Sequence, residues 1–179
     1  MPSTGVKIER FLQGDDSVME ALLGMFREPV WFYLKQKIPA GDVEDLFHDV
    51  VIAGFNGLAR LEDPDKLVPW MLAITRRKVQ AYYRQRDQTH TAFAEDQQHA
   101  PYLPGQGLSQ ERNLRLGKIH RCINQLREPF QEAAILHFIL GMSYREVARI
   151  MDCNENTAKA RINRAKIMIF KCASGGKPC

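Results

Sequence analysis

Cations and aromatic rings cluster over one short stretch of the chain. Arg76, Arg77, Lys78, Arg84 and Arg86 follow one another with no acid between Leu72 and Arg86, and Trp70, Tyr82 and Tyr83 stand among them. Positive charge interleaved with rings suits a nucleic-acid strand whose bases are partly unstacked. Guanidinium and ammonium groups hold phosphates while ring faces accept bases. Trp70 lies on an apolar stripe, so core packing is its first role. Tyr82 and Tyr83 are neighbours and point about 100° apart on a helix, so at most one of them belongs to the core.

A second basic constellation lies near the C-terminus. Gly141-Met-Ser143 opens a short helix with Tyr144, Val147, Ala148 and Met151 inward, and Ser143 with Glu146 three residues on forms a capping-box pattern. Asp152-Cys-Asn154 makes a turn, and Asn154 or Asn156 caps a last helix with Ala158, Ile162, Ala165 and Ile169 inward. Two short helices joined by a tight turn, with the small Ala148 at the crossing, form a helix-turn-helix pattern. The opposite face of the last helix carries Asn156, Ala160, Asn163 and Ile167, flanked by Lys159, Arg164 and Lys166. Short and amide side chains suit base edges in a major groove, and the flanking cations suit phosphates.

The third feature has the opposite sign. Asp42, Glu44, Asp45, Asp49, Glu62, Asp63 and Asp65 face only Arg60 within the same segment. Ile52 projects beside Glu44, Asp45 and Asp49, off the apolar stripe, so an exposed apolar residue ringed by acids outlines a protein-docking surface. His48 beside Asp45 or Glu44 could serve as a base, but no nucleophile or phosphate loop lies near it. No catalytic residue is expected. His120 and Cys122 would need two distant partners to hold zinc, and no Cys-x-x-Cys pair exists, so no metal or other cofactor is expected.

These residues need helices to position them, and helical periodicity recurs along the chain with no convincing strand alternation. Residues 15–37 carry one apolar stripe, with Asp15 or Asp16 at its start and a kink or break expected at Pro29. Residues 42–58 carry another (Val43, Leu46, Phe47, Val50, Val51, Gly54, Phe55, Leu58), with Asp42 as its N-cap. A loop over 60–68 precedes a helix from Pro69 to Arg86. Residues 109–127 use Leu116, Ile119, Cys122, Ile123 and Leu126, and the next helix carries Phe130, Ala133, Ala134, Ile135 and Phe138 inward.

The expected fold class is therefore all-α, with helical domains at 1–87 and 109–179 joined by a flexible linker at 88–108. The linker is rich in Gln, Pro and Gly. It would span about 75 Å fully stretched and about 25 Å relaxed, so the two blocks can reach separate places on one large partner.

The chain has 179 residues and a net charge of +4. Counted by block, the charge is −1 over 1–87, −2 over 88–108 and +7 over 109–179. A near-neutral block tied to a basic one points the second toward nucleic acid. No apolar run approaches the roughly 20 residues of a membrane helix, and Lys7, Glu9 and Arg10 interrupt any secretory segment. Cys122, Cys153, Cys172 and Cys179 read as free thiols in a reducing cytoplasm.

Three motifs carry a family resemblance. The run Asp42-Val-Glu-Asp-Leu-Phe-His-Asp-Val-Val-Ile-Ala-Gly-Phe55 resembles the second conserved region of bacterial sigma factors. Val68-Pro-Trp-Met-Leu-Ala-Ile-Thr-Arg-Arg77, continued to Tyr82-Tyr-Arg84, is similar to the promoter-melting helix of the extracytoplasmic-function (ECF) group. Gly141-Met-Ser-Tyr-Arg-Glu-Val-Ala-Arg-Ile-Met151 with Asn156-Thr-Ala-Lys-Ala-Arg161 looks like that group's terminal helix-turn-helix.

The resemblance implies that the chain binds core RNA polymerase and gives it promoter specificity. Asp42, Glu44, Asp45, Asp49 and Ile52 would dock on the β′ clamp helices, and the β flap is a further polymerase contact implied. Arg76, Arg77, Lys78, Tyr82, Tyr83 and Arg84 would hold the single strand of the −10 element. Asn156, Lys159, Ala160, Arg161, Asn163 and Arg164 would read the −35 duplex. An anti-sigma factor is the further partner implied.

The chain departs from the family pattern at Arg77, Lys78 and Ala81, where Asn, an apolar residue and Asp are common. It departs again at Asn156, Ala158 and Ala160, where Gly, Val and Ser are common. Its base preferences cannot therefore be copied from relatives. A helix-turn-helix regulator with a sensing or dimerising first block is the alternative. The acidic face with Ile52, and a basic helix in a separate block, weigh against it.

Overall fold

The computed structural model describes residues 2–89 and 110–175, with side chains at 2–86 and 117–175. All regular structure among them is helical, and the chain divides into two compact units, Met1–Gln98 and His99–Cys179. No helix among the described residues is long and apolar enough to cross a membrane.

The first unit holds α1 (Thr4–Leu12), α2 (Met19–Lys35), α3 (Val43–Gly57) and α4 (Leu67–Thr89), joined by short 3-10 turns. α2 packs against both α3 and α4, which also pack against each other. Leu22, Phe26, Val30, Tyr33 and Leu34 of α2 are buried with Val43, Leu46, Phe47 and Val50 of α3 and Leu67, Met71, Leu72, Ile74 and Val79 of α4. At Gly54 a Cβ would lie 2.5 Å from Sδ and Cε of Met71, so only glycine lets this side chain reach the α3 backbone.

Two local expectations change. α2 runs unbroken through Pro29. Buried residues before it (Leu22, Phe26) and after it (Val30, Tyr33, Leu34) seat in the core, so packing keeps the two halves in one helix despite the missing N–H. Asp42 stands at the N-cap position of α3 but makes no capping hydrogen bond. Its carboxylate is engaged elsewhere, as described below.

The second unit holds α5 (Gln110–Asn124), α6 (Phe130–Ala134) running into a π turn (Ile135–Ile139), α7 (Tyr144–Ile150) and α8 (Glu155–Ala173). α8 is the hub and packs on α5, α6 and α7. Ile123, Leu126, Ala133, Ala134, Ile135, Leu136, Val147, Ala148, Ile150, Ala158, Ile162 and Ala165 are buried.

Ile119 and Phe138, expected inward, are 38% and 43% exposed. His120 takes the inward place on α5, one residue on from Ile119. The π turn inserts an extra residue per turn ahead of Phe138 and rotates it outward. The expectation of free thiols fails for two of the four cysteines. Cys122 of α5 and Cys172 of α8 are joined by a disulfide, while Cys153 is free. Side-by-side packing of α5 and α8 brings together residues 50 apart in sequence, a separation that carries no local signal. The expected linker, 88–108, begins within α4, and from residue 90 it lies outside the described residues, as does Cys179.

Candidate nucleic-acid interface

The helix-turn-helix of the second unit follows from its caps. The Ser143 side chain accepts from the Glu146 backbone N–H at 3.3 Å, and the Glu146 carboxylate accepts from the Ser143 N–H at 2.9 Å, which closes the capping box of α7. The chain then turns through Asp152, whose φ of 51° lies in the left-handed region. Asp is among the few non-glycine residues that tolerate this conformation, and it lets α8 start at once. Asn154, not Asn156, caps α8, its Oδ1 accepting from the Thr157 N–H at 2.8 Å. Asn156 is thereby left outward.

The outer face of α8 presents Asn156, Lys159, Ala160, Asn163, Arg164, Lys166 and Ile167, all exposed, with Arg161 half-buried at its edge. Arg164 leans back over the Phe130 ring at 5.7 Å, a cation–π contact from α8 to the start of α6. A row of amides and cations on one exposed helix face can donate to base edges and to phosphates at once.

In the first unit, α3 and α4 enclose an open groove of about 320 Å³ lined by Asp42, Asp45, Leu46, Asp49, Lys78, Ala81, Tyr82 and Gln85. Acids from one expected surface and cations from the other meet across it. Lys78 Nζ lies 3.3 Å from Asp49 Oδ2. The Tyr82 hydroxyl donates to Asp42 Oδ2 at 2.5 Å and accepts from Arg86 Nη1 at 2.5 Å, and Arg86 itself lies 3.5 Å from Asp42. Partial burial and the neighbouring Asp42 carboxylate push the Tyr82 phenol above its usual pKa. Tyr83 donates to the Lys37 carbonyl at 2.5 Å.

Both tyrosines are half-buried and tethered by their hydroxyls, while Arg77 and Arg84 are exposed. Along the same face of α3 as Asp45 and Asp49, Ile52 is 60% exposed, with Glu44, Asp45, His48 and Asp49 also exposed. The pairing of Asp42 with Tyr82, 40 positions apart, was not expected from sequence. Only the Tyr82–Arg86 half, at helical spacing, had a local signal. His48 is exposed, and no cluster of metal-binding side chains occurs among the described residues.

The chain resembles proteins of one kind. Residues 116–169 match the family described as Sigma-70, region 4, a span from within α5 through α6 and α7 to Ile169 of α8. The RNA polymerase sigma factor NccH of Alcaligenes xylosoxydans xylosoxydans is 31% identical over 134 residues, 72% of each chain. This chain belongs to the sigma-70 family of RNA polymerase sigma factors, in its ECF group. The ECF RNA polymerase sigma-E factor of Escherichia coli K12 is 26% identical over 170 residues, 90% of this chain and 89% of the relative. Among solved structures, the sigma factor RpoE of Bartonella quintana, bound to the anti-sigma factor NepR, superposes with a TM-score of 0.69 at 23% identity. That match covers 89% of this chain and 98% of RpoE. Like its relatives, this sigma factor directs transcription initiation by RNA polymerase at promoter DNA.

Proposed function

We propose that the two units divide promoter recognition between them, with the acidic face of α3 as the polymerase dock. The supporting observation is the separation of two exposed surfaces of opposite chemistry: Ile52 among acids on α3, and amides among cations on α8. In this reading residues 1–87 form the region that binds core polymerase and opens the −10 element, residues 109–179 form the −35 reader, and 88–108 connect them.

Asp42, Glu44, Asp45, Asp49 and Ile52 meet the polymerase clamp. Arg76, Arg77, Lys78 and Arg84 take the phosphates of the displaced strand, and the loop over 60–68 captures an extruded base. Unstacking costs a few kcal/mol per step, and a sigma factor has no fuel, so these contacts must cover that cost. The chain itself supplies no reaction. Bond making stays with the polymerase, in the cytoplasm where it works. An anti-sigma partner covering the dock follows from the kinship with RpoE, which was solved with NepR.

The groove between α3 and α4 gives this division an order of events. Lys78 and Arg86 are paired with Asp49 and Asp42 in the free chain. A basic polymerase surface that takes the two aspartates releases both cations toward DNA. Exposed ion pairs are worth about 0–1 kcal/mol each, so docking can open them. The test is run-off transcription with core polymerase and the variant Arg76→Glu/Arg77→Glu. It should still bind polymerase and should lose permanganate reactivity at the −10 region. Normal footprints would overturn the assignment of the basic helix.

A further inference from the structure

We propose that Cys122 and Cys172 form a reversible oxidation site, closed by peroxide and opened by dithiol reductants, that sets how firmly the DNA-reading unit is folded. The proposal rests on the reading above that the chain works in the cytoplasm. Disulfides there are transient and redox-sensing rather than permanent.

Two residues far apart in sequence are held by helix packing at a Cα separation of 5.8 Å, inside the range a disulfide bridges. Cys153 lies in the same unit and is left unpaired, so the pairing is selective. The two thiols differ in access. Cys122 is buried on α5, whereas Cys172 is partly exposed in the last turn of α8, next to Lys171. This is the arrangement of a reacting cysteine with a resolving one. The Cys172 thiolate attacks one peroxide oxygen, the O–O bond breaks, and hydroxide leaves as water after taking a proton. The Cys122 sulfur then attacks the resulting sulfenic acid, the S–O bond breaks, and a second water leaves. A dithiol returns two electrons and two protons and becomes a disulfide itself.

The bridge closes a 50-residue loop that contains the whole helix-turn-helix. Closing such a loop restricts the unfolded chain far more than the folded one. Ile123, Leu126, Ile162 and Ala165 are buried in the unit's apolar core, and in this proposal that burial keeps the unit folded when the bond is reduced. Oxidation thus extends the temperature range over which α8 is held ready for DNA, without altering the face that reads it.

The test uses the full chain treated with hydrogen peroxide or with dithiothreitol. Peptide mapping should find Cys122 joined to Cys172. Melting of the second unit should shift upward by about 15–30 °C on oxidation. At the melting midpoint of the reduced form half the chains are competent, so the oxidised chain should bind a −35 duplex about twofold more tightly there. Cys122→Ser and Cys172→Ser should each remove the difference, and Cys153→Ser should keep it. A bridge to Cys179 or Cys153, or melting unchanged by peroxide, would overturn the site while leaving promoter-directed transcription by the reduced chain intact. Failure of both forms to transcribe with core polymerase would instead remove the reading on which the site rests.

Discussion

Asp42 shows how much can hang on one carboxylate. It sits where a helix cap belongs, yet it accepts from Tyr82 and faces Arg86. Asp49 holds Lys78 in the same way, though both of those side chains are part-exposed, so the pair is weak on its own. Neutralising these acids should therefore act in opposite directions on two ligands. Asp42→Asn/Asp49→Asn should weaken binding to core polymerase in a pull-down and strengthen binding of the free chain to single-stranded DNA by up to several-fold. Weakening of both would mean that the aspartates do not restrain the cations.

On α8, Asn156→Ala or Asn163→Ala should alter base preference at one position, by about 1–3 kcal/mol for a bidentate contact. Arg164→Ala should weaken all duplexes alike and reduce the salt slope by about 0.9. Competition gel shifts over a salt series measure both. The outward amides and the Ser143–Glu146 box were legible because each follows from spacing within one or two helical turns. The Asp42–Tyr82 bond was not, because it spans 40 positions and depends on how α3 and α4 pack.

At the scale of elements, periodicity located the helices and mis-phased two of them by a residue. His120 is buried where Ile119 was expected, and that burial holds its imidazole below the usual pKa near 6.5. The unfolded chain then binds the proton more readily than the folded one. Stability of the second unit should be full above about pH 6.5 and fall as pH drops through that value toward the lowered folded pKa. His120→Gln should flatten this dependence in thermal melts at pH 7.5 and 5.5; an unchanged slope would assign the effect to other groups.

The π turn at Ile135–Ile139 explains Phe138 in the same physical terms. A pattern read at 3.6 residues per turn loses phase where a turn holds more. Contact between α3 and α4 gives a sharper test. Gly54→Ala places a Cβ 2.5 Å from Met71, so either the thioether moves or the helices part. If the buried thioether cannot move, overpacking costs about 1–3 kcal/mol, of which the helix propensity gained by Ala returns about 1 kcal/mol, and the denaturation midpoint of the first unit falls; if the thioether moves, the midpoint stays or rises. Neither the glycine nor the methionine advertises that contact in sequence.

For the whole molecule, the decisive facts are the division into two units and the uneven charge, −1 over 1–87 against +7 over 109–179. Both were readable from composition, because linkers and nucleic-acid readers differ in kind from packed cores. The disulfide was not readable, since its partners meet only once α5 and α8 are packed. A near-neutral unit with an acidic face around Ile52 and a basic unit with an amide face suit a factor that addresses a polymerase to DNA. The most direct test is run-off transcription by purified core polymerase with this chain on a genomic fragment library. Discrete start sites should appear that share two spaced upstream elements, and they should vanish when Ile52 is changed to Glu. Starts scattered as they are with core polymerase alone, or sites unaffected by the Ile52 change, would contradict the account.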